Sequence, residues 1–281
     1  MSLDLDVVGR RWDAGVHAWT STDAILYALG VGAGARDPLA ELAFTTENSH
    51  QIVQQVLPTF VATFGANAGP KLGDFDLSQV LHGEQAVEVF GPLPTDGRAS
   101  TVAVVTGIYD KGTAALAVLE SSIADADTGR LIAQTRSGIF IRGEGGFGGS
   151  RGDSTPWVPP DRPADQVIVY PTRDDQALLY RLSGDRNPLH SDPWLASRAG
   201  FDRPILHGMC SYGFTGRALL HALCGSDPAA FGSMSARFAA TVRPGQELSV
   251  HIWDDGAVCR FVTKVGETVV LDRGVFTRRS A

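Results

Sequence analysis

Asp185, Asn187 and His190 lie within six positions of one another in the run Tyr180-Arg181-Leu182-Ser183-Gly184-Asp185-Arg186-Asn187-Pro188-Leu189-His190. Gly184 stops the preceding helix and Pro188 stiffens the chain after it, so the polar side chains sit on a turn. A turn can aim a carboxylate and an imidazole at one small volume. The pair can hold a water there, one group taking its proton while the other delivers a proton elsewhere. Singly, each residue has an ordinary explanation: Gly-Asp and Asn-Pro are turn chemistry, and a lone histidine is commonly structural. Their combined order points to chemistry.

A second cluster, Pro204-Ile205-Leu206-His207-Gly208-Met209, opens a stretch that can form a helix over 205–223, with Gly225 as its stop signal. Backbone N–H groups at a helix start are unpaired, and the dipole there favours negative charge. Glycine lets a carbonyl approach closely, so the N–H of Gly208 is a candidate oxyanion donor; the alternative for Gly208 is helix–sheet packing. His207 is read as structural.

Both segments resemble the (R)-specific 2-enoyl-CoA hydratases, the MaoC-like or hydratase 2 family. The family signature, aromatic-x-aliphatic-Ser-Gly-Asp-x-Asn-Pro-aliphatic-His, matches throughout 180–190, with Ala196 where a small residue follows. The family's aliphatic-His-Gly-Met segment matches at 206–209, and the likeness spans nearly the whole chain. It implies an α+β fold, each half a long helix on a curved antiparallel sheet, in tandem as a double hot dog. It also implies reversible addition of water to a (2E)-enoyl-CoA, giving the (3R)-3-hydroxyacyl-CoA. Asp185 and His190 would share the acid and base work on one water, Asn187 would position the water or a catalytic side chain, and Gly208 would serve the thioester oxygen. His82 and Gly83 in Leu81-His82-Gly83-Glu84-Gln85, Lys111 in the turn after Tyr109-Asp110, and Phe238 fall at family ligand-binding positions, as do Arg186, Pro188 and Leu189 of the signature. Lys111 reads equally as a solvated turn residue and Phe238 as a core strand residue. Arg198, Arg237 and Arg243 are further candidates for phosphate contact. The only cofactor implied is the coenzyme A of the substrate, with no metal.

The elements that must carry these residues come in two similar sets. Residues 143–165 are rich in Gly, Pro and Ser and read as a linker between a first repeat, 1–142, and a catalytic second repeat, 166–281. Ala24-Ile25-Leu26-Tyr27-Ala28-Leu29-Gly30 parallels Ala177-Leu178-Leu179-Tyr180-Arg181-Leu182-Ser183, each after a Thr-x-x-Asp start, at Thr20–Asp23 and Thr172–Asp175, that predicts a capping box. Pro94-Thr95-Asp96-Gly97 parallels Pro244-Gly245-Gln246-Glu247, and a duplicated fold explains both. Strands are predicted over 100–109, 113–122 and 131–142, then over 234–243, 247–253, 257–265 and 268–278. The first repeat lacks the chemistry: Gly32, Ala33 and Gly34 stand where the second has Asp185, Arg186 and Asn187, and Asp37 stands in place of the histidine. By the resemblance it helps house the acyl chain and part of the coenzyme. The glycines near 65–69 suggest room for long or bulky acyl groups, including steroid side chains.

The remaining features bound the function. A hydrophobic content of 43% supports a packed core over 281 residues, and a net charge of −7 with no basic stripe argues against nucleic-acid binding. Cys210, Cys224 and Cys259 are scattered and lack CxxC spacing, so they read as reduced, mostly buried and non-ligating. No apolar run suits a membrane span. The amino end lacks a signal-peptide pattern and the carboxyl end, Arg278-Arg279-Ser280-Ala281, lacks a Ser-Lys-Leu address; the expectation is a cytoplasmic protein. Arg151-Gly152-Asp153 is treated as linker polarity. Gly30 to Gly34 follow a helix and make no GxGxxG after a strand, so a freestanding hydratase without nicotinamide is expected. A homodimer is expected from edge-to-edge pairing of hot-dog sheets. Competing readings are a dehydratase of fatty-acid or polyketide elongation, a non-catalytic acyl-CoA-binding subunit and a hot-dog thioesterase.

Overall fold

The structure is a computed structural model that describes residues 3–64, 70–76, 79–152 and 156–279. The glycine-bearing stretch 65–69 lies outside the described residues, as does Asp153. The first half holds β1 (Arg11–Trp19), α1 (Ser21–Gly30), α2 (Leu42–Thr45), β2 (Val80–Val89), β3 (Gly97–Asp110), β4 (Ala114–Asp125) and β5 (Leu131–Arg142). The second holds β6 (Gln166–Pro171), α3 (Gln176–Tyr180), α4 (Pro193–Arg198), α5 (Gly208–Cys224), β7 (Phe231–Phe238), β8 (Glu247–Asp254), β9 (Val258–Val265) and β10 (Thr268–Arg278).

These strands form one antiparallel sheet in the order β1-β3-β4-β5-β2-β7-β10-β9-β8-β6. From either edge inward, the two halves repeat one plan. They meet where β2 pairs with β7, from Glu84 opposite Arg237 to Glu88 opposite Ser233. This is the tandem hot-dog arrangement. The edge-to-edge pairing behind the homodimer expectation is thus made within the chain, and a further edge-to-edge pairing would have to use the outer edges, β1 and β6.

The alternation of Leu248, Val250 and Ile252 in β8 puts those side chains in the core. They face α5, which is buried along most of its length and apolar nearly all round, as a central helix must be. Among the described residues the first half has no helix of comparable length. Pro58–Thr63 forms a 3-10 turn at the matching place, where Pro58 and the β-branched Thr59, Val61 and Thr63 disfavour a regular helix.

Three local expectations are corrected. The helix predicted over 205–223 begins at Gly208, because Ile205 and Leu206 are held extended: the Leu206 N–H donates to the Val242 carbonyl. The strand predicted over 234–243 spans Phe231–Phe238, and the chain then turns away to supply that carbonyl. The Thr20–Asp23 capping box forms, but the one at Thr172–Asp175 does not. The Thr172 hydroxyl instead donates to the Gln246 carbonyl (2.6 Å), and α3 begins only at Gln176.

The halves are also joined by charge. Arg217 of α5, almost fully buried, pairs with Glu41 of the first half (3.1 Å) and lies over the Tyr170 ring. His221 contacts the same carboxylate at 2.7 Å. Burial pushes the Glu41 pKa up, but the His221 hydrogen bond, the Arg217 charge and the Gly34 N–H together hold it below the usual value. Removing one member strands a buried charge. Glu41→Ala is therefore expected to lower the unfolding free energy by about 3 kcal/mol or more, read from urea denaturation.

Candidate active site

The turn carrying the predicted residues is built by its own backbone. Gly184 ends the segment after α3 at φ +127°, a conformation that side chains resist, and leaves Asp185 at the start of a new direction. The Asp185 carboxylate accepts the Asn187 N–H (3.0 Å), and the Asn187 side-chain oxygen caps the 3-10 turn Pro188–His190 through the Leu189 N–H (3.0 Å). The capping oxygen is thereby used, and the amide N–H groups of Asn187 remain as donors.

His190 is fixed by the extended segment before α5. Its Nδ1 lies 2.9 Å from the Ile205 carbonyl. A carbonyl only accepts, so Nδ1 carries the proton and Nε2 presents a lone pair. The His190 ring stacks on that of His207, with centroids 3.7 Å apart, and His207 Nε2 lies 3.3 Å from the Asp185 carbonyl. Asp185, His190 and His207 each present a polar atom within 4.8 Å of the others. This set could suggest a metal. However, imidazole lone pairs lie in the ring plane, and stacked rings direct them along nearly parallel planes instead of towards one ion at about 2.0–2.1 Å. The arrangement suits proton handling.

Burial holds all three histidines here below the usual imidazole pKa. For His190 it outweighs the Ile205 hydrogen bond and the Asp185 charge. For His207, burial and then the neighbouring His190 lower it to about 4. For His82, burial again dominates.

A cavity of about 990 Å³ brings the candidates together. Asp185, Asn187, Leu189, His190 and Gly208 line it from the second half, with Phe238 of β7. His82, Gly83 and Lys111 line it from the first. The ladder between β2 and β5 shifts register between His82 and Glu84, a bulge that redirects His82 towards Phe238 (ring centroids 4.9 Å). Gly208 is packed by the same ring: a Cβ there would sit 3.1 Å from it. As the first residue of α5, Gly208 has no carbonyl four residues back within the helix for its N–H. Arg186 and Pro188 are exposed and do not line the cavity. Of the other basic candidates, Arg237 lines it while paired with Asp272. Arg243 pairs with Asp202 instead, and Arg198 lies over the Trp194 ring.

Sequence reasoning missed Arg136, Arg142 and Arg273, which join Lys111 and Arg237 along the cavity, and missed the stacking role of His207. Arg273 sits at φ +52° where the pairing of β10 shifts on both sides, a bulge foreshadowed only by Asp272-Arg273-Gly274 interrupting an alternating strand. The supposed linker is part of the wall too: Gly152 lines the cavity, the Arg151 carbonyl accepts from Lys111, and Asp110 accepts the N–H groups of Gly146 and Gly148.

Comparison with known proteins decides the family. Residues 17–143 match the MFE-2 hydratase 2 N-terminal domain and residues 157–274 the MaoC-like domain. A 3-hydroxyacyl-thioester dehydratase Y of Mycobacterium tuberculosis is 49% identical over 90% of this chain and 88% of its own. The chain belongs to the MaoC-like, hydratase 2 family. A peroxisomal enoyl-CoA hydratase 2 of Arabidopsis thaliana is 38% identical over 89% of this chain and 87% of its own. The crystal structure of a MaoC-like dehydratase from Phytophthora capsici superposes with a TM-score of 0.88 at 30% identity, covering 99% and 98% of the two chains. The Arabidopsis relative is named as peroxisomal, and the comparisons do not bear out the cytoplasmic expectation. Among the described residues no helix is long and apolar enough to cross a membrane.

The histidine environment gives a testable pH dependence. The unfolded chain binds these protons near pH 6.5, and the folded chain only at lower pH, near 4 for His207. The unfolded state therefore gains protons first as pH falls, and stability is lost through that window. The urea midpoint is expected to fall between pH 7 and pH 5, and His207→Gln to reduce that fall.

Proposed function

We propose that this protein is an (R)-specific 2-enoyl-CoA hydratase, a hydro-lyase that reversibly adds water to a (2E)-enoyl-CoA to give the (3R)-3-hydroxyacyl-CoA. The observation that carries the reading is the convergence of Asp185, the unprotonated Nε2 of His190 and the Gly208 N–H on one cavity. The Arabidopsis relative is named for this reaction.

The geometry suggests the course. Asp185 and Asn187 hold the water. Its oxygen bonds to C3 as its proton passes to His190 Nε2, and the C2=C3 electrons move towards the thioester, placing negative charge on its oxygen. The Gly208 N–H, at the positive end of α5, stabilises that charge. The imidazolium, steadied by the Asp185 carboxylate, then returns the proton to C2 and restores the neutral ring. One water is consumed, and no proton is gained or lost. His190 thus does both the base and the acid work as proton carrier, and Asp185 shares in each step by holding the water and then the imidazolium. The low pKa of His190 keeps the ring neutral and able to accept at neutral pH.

The cations Lys111, Arg136, Arg142, Arg237 and Arg273 suit the phosphates of coenzyme A. Arg136 is partly neutralised by Glu84 and Glu120, and Arg237 by Asp272; among the described residues Arg142 and Arg273 make no ion pair. The three unpaired thiols favour a reducing compartment. The same residues run the reaction backwards, and the Mycobacterium tuberculosis relative, named a 3-hydroxyacyl-thioester dehydratase, supports that second reading. Relative rates on CoA and carrier-protein thioesters separate the two.

The decisive assay follows the enoyl absorbance of crotonyl-CoA, with product handedness read by an (R)- or (S)-specific dehydrogenase. Loss of the band with an (S) product, or thiol release without hydration, overturns the reading. Asp185→Asn and His190→Gln are each expected to lower kcat by roughly 10²–10⁴-fold while the melting temperature holds. The double variant Arg142→Gln/Arg273→Gln should raise KM for enoyl-CoA about tenfold with kcat nearly unchanged, as expected for groups that touch only the coenzyme.

A further inference from the structure

Beside the main cavity lies a smaller chamber of about 240 Å³, and the two share His82, Ile139, Asp185 and Met209 as walls. The main cavity carries the cations; among the described residues lining the chamber there are none. If coenzyme A occupies the cationic side and C3 lies beside Asp185, the chamber takes the acyl group beyond C3.

The chamber wall is the inner face of the first-half sheet, and its chemistry is unlike that of its duplicate. In the second half that face is apolar: Met234, Leu248, Val250, Cys259, Phe261 and Phe276 are fully buried beneath α5. Its buried hydroxyl, Thr263, bonds to Thr215 of α5 at 2.8 Å. In the first half the chamber meets Thr101, Ser121, Thr135, Ser137 and Gln85 on four neighbouring strands. Ser121 stands opposite Thr135, and Ser137 opposite Gln85. Gln85 and Ser137 bond to each other. Thr101, only 2% exposed, and Ser183, also on the chamber wall, each have a buried hydroxyl oxygen with no hydrogen-bond partner. Inward hydroxyls that no helix satisfies cost stability unless something else bonds them.

We infer that the preferred acyl group carries a hydrogen-bonding oxygen, a hydroxyl or carbonyl, several carbons beyond C3, which Thr101 and its neighbours bind. This rests on the hydratase reading and names the substrate class for that site. A plain alkyl chain would leave the Thr101 and Ser183 hydroxyls dry and unpaired, and a site built to bond an oxygen discriminates against the chain lacking it. At ~30 Å³ per methylene- or water-sized group, the chamber holds about eight such groups.

The test compares (2E)-octenoyl-CoA with its 6-, 7- and 8-hydroxy analogues, and uses crotonyl-CoA as a substrate too short to reach the chamber. At least one hydroxylated substrate is expected to exceed the plain one about 10- to 100-fold in kcat/KM. Thr101→Val or Ser121→Ala is expected to shrink that ratio while leaving crotonyl-CoA turnover nearly unchanged. Because the ratio is taken within one enzyme, a partly destabilised variant still reports it. Crotonyl-CoA hydration with equal or better use of the plain octenoyl chain overturns this inference alone. Failure to hydrate crotonyl-CoA and every longer substrate overturns the hydratase reading, and this inference with it.

Discussion

The ladder between β2 and β7 is the constraint on which the molecule depends. It turns two five-stranded units into one sheet, and the cavity lies across it. β2 contributes His82 and Gly83, β7 contributes Phe238, and the Phe238 ring packs on both His82 and the start of α5. Separating the strands would divide the cavity between two fragments. The Glu41–Arg217–His221 cluster ties the first half to α5 as well, so a hydrogen-bonded ladder and a buried charge together hold the two halves in the relative position that the site requires.

Duplication supplies the frame, and asymmetry within it supplies function. In the second half, the turn after α3 opens onto a cavity and holds Asp185 and His190. In the first, the corresponding turn is packed shut: a side chain at Gly32 would meet the Phe214 ring at 2.3 Å and Arg217 at 2.9 Å, both from α5. The same α5 that presents Gly208 to one site thus fills the space of the other. Among the described residues the first half has no long helix over its sheet, and an acyl-sized chamber stands over that inner face. One repeat keeps the helix and the chemistry; the other keeps the sheet and the room.

Much of this was legible in the residues, for identifiable reasons. The turn at 180–190 carries its conformation in Gly184, Asn187 and Pro188, so its side chains could be grouped without knowing the fold. Strands β5 and β10 match the predicted 131–142 and 268–278 because their apolar periods are long. β1 and β6 were not predicted: they are outer edges, largely exposed or half-exposed, and lack a buried alternation to reveal them. The capping box at Thr172 failed because its hydroxyl accepts the distant Gly245 N–H and donates to the Gln246 carbonyl instead of accepting the local Asp175 N–H, which no window of sequence registers. Arg142 and Arg273 escaped notice because their value lies in position across the sheet and, for Arg273, in a bulge that only the paired strands define.

The rigidity of the candidate site comes from backbone atoms more than from side chains. His190 is held by the Ile205 carbonyl, His207 by the Asp185 carbonyl, and the segment carrying Ile205 by the Leu206–Val242 bond. Each of these bonds crosses between the turn, the lead-in to α5 and the loop after β7, so the three are mutually fixed before any ligand arrives. Carbonyl acceptors also settle the tautomers, leaving His190 Nε2 bare, and burial keeps both rings neutral. A base that must accept a proton and surrender it again works best when its geometry does not relax with charge. Replacing either histidine therefore disturbs more than one proton site: the stack at 3.7 Å means that the ring lost from one segment also removes a wall of the other. The start of α5 at Gly208, which leaves Ile205 and Leu206 extended, is thus the feature that lets a sequence motif on a turn become a preorganised site.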